Sequence, residues 1–220
     1  MRVEDLEKEY KTNLIKRFIT SFVIIIPVMA IMLNENFWIF STIIFLICSV
    51  GFYEWNQNMF GSNMMGLFIL SVFGMSSVYF VGQELYQEIS AYTFFLIIIL
   101  NTAIFDTFAF IVGSLFGKNY IAKTISPKKT FEGLLGGLLG SILFFLLISN
   151  YYDLGYVNLI IFILACFFAF FGDLLISYFK RKKGIKDTGS ILPGHGGILD
   201  RLDSHLLATP ISILLFLLIS

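Results

Sequence analysis

Charge is scarce in this chain of 220 residues: Asp, Glu, Lys and Arg make up 14% of it, against about 25% in an ordinary soluble domain. With 57% hydrophobic residues and a mean hydropathy of +0.85, the shortage excludes a domain wetted on all sides, so lipid must solvate much of the surface. The net charge is zero, and where the charges stand is more informative than their sum; no nucleic-acid partner is expected. Cysteine is limited to Cys48 and Cys166, each inside an apolar run where a thiol acts as a small hydrophobe, which excludes a disulfide framework and gives no activated thiol. Histidine is limited to His195 and His205, ten residues apart with no Cys at zinc spacing, so zinc is not expected. A cleavable leader is not expected either, because the first apolar run follows a mixed acidic and basic segment and lacks a small-residue cleavage site.

What the chain does have is long apolar runs. Met1 to Lys16 is polar with Val3, Leu6, Tyr10 and Leu14 at helical spacing, which predicts a short amphipathic helix lying on the membrane surface. Runs that match a hydrocarbon layer of about 30 Å follow at Phe18–Leu33, Phe37–Tyr53, Met64–Val81, Tyr92–Phe116, Phe131–Ser149, Val157–Phe179 and His205–Ile219. The expected fold is therefore all-α and polytopic, with about seven spans, the last one short. Residues 1–100 hold the interfacial helix and the first spans, and 101–220 a catalytic region within the same membrane unit.

Of the fifteen Lys and Arg, five precede the first run, four lie between the fourth and fifth and six between the sixth and seventh. The connections around Glu35, Glu84 with Glu88, and Asp153 contain none. Basic residues collect in short cytoplasmic loops, which puts the N-terminus and both basic loops in the cytoplasm.

Several residues would be rejected by lipid. Asp106 lies inside the fourth run with Thr102, Ala109 and Gly113 on its face, so that face must meet protein or water, either for function or as a hydrogen-bonded structural carboxylate. Asp173 in the sixth run converges with Ser177, Lys180 and Arg181 on the following basic loop. Gly133, Gly136, Gly137, Gly140 and Ser141 form a small-residue stripe that favours close helix packing over ligand contact, while Glu132 beside it reads equally as a helix-start charge or a site residue. Gly113–Lys118, GSLFGK, has the wrong glycine spacing for a phosphate-binding loop. Pro127 predicts a turn that delivers Lys128, Lys129 and Thr130 to the start of the fifth helix, where anions are favoured.

Most of the reactive side chains fall between Ser177 and Asp203. That stretch holds Lys180, Arg181, Lys182, Lys183, Lys186 and Arg201 beside Asp187, Asp200 and Asp203, with a Pro-Gly-His-Gly-Gly turn around His195. Carboxylates suit Mg²⁺, and Lys and Arg neutralise phosphate oxygens that the metal leaves. Nothing pairs a Ser, Cys or Thr with a His and a carboxylate for covalent catalysis. The residues instead suit phosphoryl or nucleotidyl transfer, which depends on positioning and charge neutralisation.

Ser177-x-Phe179-Lys180-Arg181, then Lys186-Asp187-x-Gly189, then Leu192-Pro193-x-His195-Gly196-Gly197-Ile198-x-Asp200-Arg201-Leu202-Asp203 resembles the full signature of the phosphatidate cytidylyltransferases, or CDP-diacylglycerol synthases. Asp106-Thr107-x-Ala109-Phe110, Ser126-Pro127-Lys128-Lys129-Thr130 and Gly172-Asp173 are similar to supporting segments of that family, and Lys16 to Ser21 and Glu54-Trp55 are weaker echoes. Many bacterial members have one or two more spans.

The resemblance implies an enzyme converting CTP and phosphatidate to CDP-diacylglycerol and pyrophosphate at the cell membrane, dependent on Mg²⁺ and working as a homodimer among membrane lipid. It implies catalytic roles for Asp173, Lys180, Arg181, Lys186, Asp200, Arg201 and Asp203, with one or two metal ions on Asp173, Asp200 and Asp203. Substrate contacts are expected from Lys128, Lys129, Ser177, His195 and Asp106, and from Gly196 and Gly197, whose backbone would approach phosphate closely. Two alternatives stand beside this reading: a cytidylyltransferase for another lipid phosphate, and an anion transporter using Asp106 and Asp173 as a proton relay. Against the transporter, the halves show no clear inverted repeat and the polar residues cluster on one side.

Overall fold

A computed structural model describes residues 28–30, 34–83, 89–152, 154–192 and 196–219. The expected surface helix, nearly all of the first span and His195 lie outside the described residues. The remaining runs are helical: α1 Phe37–Gln57, α2 Asn63–Val81, α3 Ala91–Phe116, α4 Phe131–Tyr152, α5 Val157–Lys182, the four-residue α6 Leu199–Leu202, and α7 His205–Ile219. Among the described residues, α1 to α5 are long and apolar enough to cross a membrane, so the chain is a polytopic helical membrane protein. Helix α7, with 15 residues rising about 1.5 Å each, reaches about 22 Å and falls short of the bilayer core.

Polar caps start the helices where the apolar runs begin. The side chains of Asn36, Ser62 and Ser90 accept from the amides of Ile39, Met65 and Thr93, and Thr130 Oγ1 accepts from Gly133 N at 3.1 Å. Each satisfies a donor that the first helical turn leaves over.

Packing follows the small residues. A Cβ on Gly133 would stand 2.7 Å from the carbonyl of Ala109, one on Gly137 2.6 Å from the Phe105 ring, and one on Gly140 2.6 Å from Phe108, so α4 lies directly against α3. Buried Asn101 ties three helices, donating to Phe162 O at 3.2 Å and accepting from Ser141 Oγ at 2.6 Å. A second core gathers Trp55, Phe60, Ile176, Phe179, Leu199 and Leu206 beneath the Ser177–Asp203 stretch. Trp55 packs edge-on to Phe60 and Phe179, with centroids at 5.8 and 5.2 Å.

One element was not expected. The basic loop after α3 folds into an antiparallel hairpin, β1 Tyr120–Ala122 and β2 Ser126–Thr130. Pro127 therefore stands in a strand and not in the turn anticipated for it; a two-stranded ribbon is all edge, where a residue without N–H is tolerated. The strand still delivers Lys128 and Lys129 to the start of α4.

Candidate active site

Where α3, β2, α5 and α6 meet, a cavity of about 340 Å³ opens. Its charged lining is Asp106 from α3, Lys128 and Lys129 from β2, Asp173 from α5, Asp200 and Arg201 from α6, and Asp203 just after it. Ala109, Phe110, Leu134 and Phe170 form its apolar wall. Seven of the side chains singled out from sequence are thus brought to one space.

Lys129 pairs with Asp173 at 2.8 Å, donates to Phe170 O at 3.1 Å and lies 4.3 Å from the centre of the Phe170 ring. Ser177, one turn along α5, donates to the other Asp173 oxygen at 3.0 Å. This fixes the carboxylate from two sides. Asp203 accepts from Ser204 N at 2.9 Å, and Gly172 admits its backbone against α5, since a Cβ there would collide with Asp203 O. Burial, then the charge of Asp173, pushes the Asp203 carboxyl up to about 8.

Asp200 is held differently. Its Oδ1 accepts from Lys180 Nζ at 2.9 Å, and its Oδ2 from Thr188 N at 2.7 Å and Gly197 N at 2.9 Å, with the Thr188 hydroxyl, which it shares with Glu54, 3.0 Å away. Desolvation alone would raise this carboxyl, but the hydrogen bonds from Lys180, Gly197 and Thr188 outweigh it and hold the group below the usual carboxylate range. Both oxygens are therefore committed to protein donors.

That geometry bears on a divalent cation. Carboxylates of α3, α5 and the α6–α7 corner around one polar cavity are the hard donors Mg²⁺ takes, and the penalty that burial and the neighbouring Asp173 place on the Asp203 carboxylate is what a bound cation would relieve. The described residues nonetheless present no ready group of three His, Cys, Asp or Glu at metal-holding distance. Asp200 joins such a set only by releasing Lys180 or the Thr188 and Gly197 donors.

Other residues anticipated from sequence stand off the cavity lining. Arg181 donates from Nε to Ile125 O at 3.2 Å and from Nη1 to Ile185 O at 3.1 Å, joining the two basic loops. Lys186 is exposed on the loop. Lys180 reaches the site through Asp200. Gly196 and Gly197 face inward: a Cβ on Gly196 (φ +82°) would stand 2.8 Å from Asp200 Oδ2 and one on Gly197 2.6 Å from Glu54 Oε1, so the closeness these glycines permit is to the protein's own carboxylates. Glu132 proves to be a loop tie, accepting from Lys118 N, Asn119 N and Asn119 Nδ2. The residue that sequence reasoning undervalued is Glu54, fully buried and bonded to Thr188, Ile198 and Leu199; its one signal was an acid beside a Trp at the end of an apolar run.

Comparison with known proteins sets this arrangement in a family. A profile of the cytidylyltransferase family matches residues 56–219. The chain is 41% identical over 153 residues to a phosphatidate cytidylyltransferase of Staphylococcus epidermidis, covering 66% of this chain and 58% of that relative. To the phosphatidate cytidylyltransferase of Rickettsia conorii it is 34% identical over 226 residues, covering 96% and 95%. A Thermotoga maritima protein of the same name is 40% identical over 131 residues. The chain spans only 58% of the length of the Staphylococcus epidermidis relative.

Proposed function

The chain belongs to the cytidylyltransferase family, and from that premise we propose that it transfers the cytidylyl group of CTP to phosphatidate, giving CDP-diacylglycerol and pyrophosphate. The observation that carries this reading is the 340 Å³ cavity that gathers four aspartates with Lys128, Lys129 and Arg201 between the membrane helices and the basic loops. A lipid phosphate and a nucleotide triphosphate both need cations there, and a phosphate monoester is largely ionised near pH 7. Its oxygen forms the bond to the α-phosphorus of CTP as the bond to the β-phosphate oxygen breaks, and pyrophosphate carries away the charge. No protein base is required for that step.

Lys128, Lys129 and Arg201 neutralise the phosphates, and Ser177 and Lys129 keep Asp173 oriented. Mg²⁺ is the proposed cofactor, on Asp173 and Asp203 with Asp200 recruited if it exchanges a donor; it supplies Lewis-acid neutralisation of phosphate oxygens. Asp106 backs the site from within the membrane. The excess of Lys and Arg on the loops at the cavity end supports a cytoplasmic active site in the cell membrane, with surrounding lipid and a second copy of the chain as partners.

The test is detergent-purified protein incubated with labelled CTP, phosphatidate and Mg²⁺, omitting each in turn and measuring CDP-lipid and pyrophosphate together. Equal amounts of both products, dependent on all three components, are expected. Conversion of another lipid phosphate in preference to phosphatidate would reassign the substrate, and silence with every lipid from a folded sample would overturn the reading.

A further inference from the structure

Glu54 has no part in the chemistry just described, yet the signature loop is built around it. It stands in the last turn of α1 with none of its surface exposed. Oε1 accepts from Ile198 N at 2.9 Å, and Oε2 accepts from Leu199 N at 2.9 Å and from Thr188 Oγ1 at 2.9 Å. A carboxylate is costly to bury unless its oxygens are hydrogen-bonded, and here the loop supplies the donors.

The loop's shape is fitted to that carboxylate. A Cβ on Gly189 would stand 2.7 Å from Glu54 Oε1 and one on Gly197 2.6 Å from the same oxygen, so both positions need a residue without a side chain. One turn further along, Asn58 Nδ2 donates to Thr188 O at 2.6 Å, giving α1 a second hold on the loop. Thr188 carries a single hydroxyl proton and faces two carboxylates, Glu54 Oε2 at 2.9 Å and Asp200 Oδ2 at 3.0 Å. Through Thr188 and through the amides at the start of α6, the position of Glu54 is passed to Asp200 and onward to Arg201 and Asp203, which line the cavity.

We propose that Glu54 is the positioning residue of this site: from α1 it fixes Thr188 and Gly197–Leu199 so that Arg201 is presented to the substrate phosphates and Asp203 to the cavity beside it. The proposal rests on the cytidylyl-transfer reading above. The chemistry calls for Glu and not Gln, because two backbone N–H groups point at two different oxygens. An amide has one acceptor oxygen, so either orientation of a Gln sets N–H against N–H at Ile198 or Leu199.

The experiment compares wild type, Glu54→Gln, Asn58→Ala and, as a control for general loss of stability, Phe80→Leu in the separate core around Phe94 and Phe216. Two quantities are read on monodisperse protein: amide hydrogen exchange in peptides covering Thr188 and Ile198–Asp203, and kcat and KM for CTP and phosphatidate. Glu54→Gln is expected to speed exchange in those peptides, leave the α2 and α7 peptides unchanged, and lower kcat roughly 10- to 100-fold, the usual effect of removing a group that orients site residues. Asn58→Ala should shift both quantities the same way by less, and it decides the question if Glu54→Gln does not fold. Phe80→Leu should lower the melting temperature and leave kcat within about twofold, as expected for a core change distant from the site. Loosened exchange with unchanged kcat, or lower kcat with unchanged exchange, would overturn the proposal. Absence of cytidylyl transfer by wild type would refute the function reading instead, and unchanged exchange in both loop variants would then separately refute Glu54 as the residue that holds the loop.

Discussion

Glu54 and Asp200 give their oxygens to protein donors, whereas Asp106, Asp173 and Asp203 line one cavity that opens toward the substrate side of the site. The first group behaves as structural staples whose charge is met by backbone N–H, a hydroxyl and Lys180. The second group leaves negative charge facing the cavity, met in part by Lys129 and Ser177 at Asp173, and open to a bound cation. All five are carboxylates; the number of donors within reach decides the use.

The difference can be broken most severely at Asp200. Asp200→Ala strands Lys180, whose side chain is 10% exposed, so a loss of stability of about 3–5 kcal/mol is expected, seen as a lower melting temperature in detergent. An unchanged melting temperature would remove Asp200 from the staple group. Asp173→Asn should do the opposite: kcat falls roughly 10²–10³-fold, about 2.7–4 kcal/mol in the barrier, while the melting temperature stays close to wild type. A collapse of stability there would erase the distinction.

A subtler contrast is expected in pH dependence. Because the folded Asp203 carboxyl is raised to about 8, the folded state binds its proton more tightly than the unfolded chain does. The metal-free protein should therefore lose stability as pH rises from about 4 to about 8, a slope that Asp203→Asn flattens and added Mg²⁺ reduces at the upper end. Calorimetry of Mg²⁺ binding in buffers of different ionisation enthalpy should show about one proton released at pH 7; no release would mean that Asp203 does not face the cation. Smallest of all is Lys186→Ala, on an exposed loop position, expected within about 0.5 kcal/mol in stability with kcat little altered. A large loss would show that the loop brings Lys186 onto the substrate during turnover.

How much of this was legible in the sequence follows from distance along the chain. The helices were readable because apolar length, flanking Ser or Asn caps and glycine spacing are local, and the observed bounds of α2, α3 and α7 differ from the expected ones by a residue at most. Asp173, Asp200 and Asp203 were readable because they sit together beside cations. The hairpin was not, since Ser126-Pro127 reads as a turn when its pairing partner is out of view. Nor was the staple: Glu54 meets Thr188, Ile198 and Leu199 across 134, 144 and 145 residues, and hydrogen-bond saturation cannot be counted from residue types. Gly196 and Gly197 show the same gap, because the sequence implies close approach without saying what approaches.

The reach from Glu54 to its loop also sets an order of assembly. At about 5–20 residues per second, the helix carrying Glu54 leaves the ribosome on the order of ten seconds before Thr188 does. Four further spans are made and inserted during that wait, with water alone to satisfy the carboxylate. Closure of the signature loop onto α1 is then among the last events of biogenesis, and the nascent protein stays without its assembled site until nearly the whole chain is in the membrane.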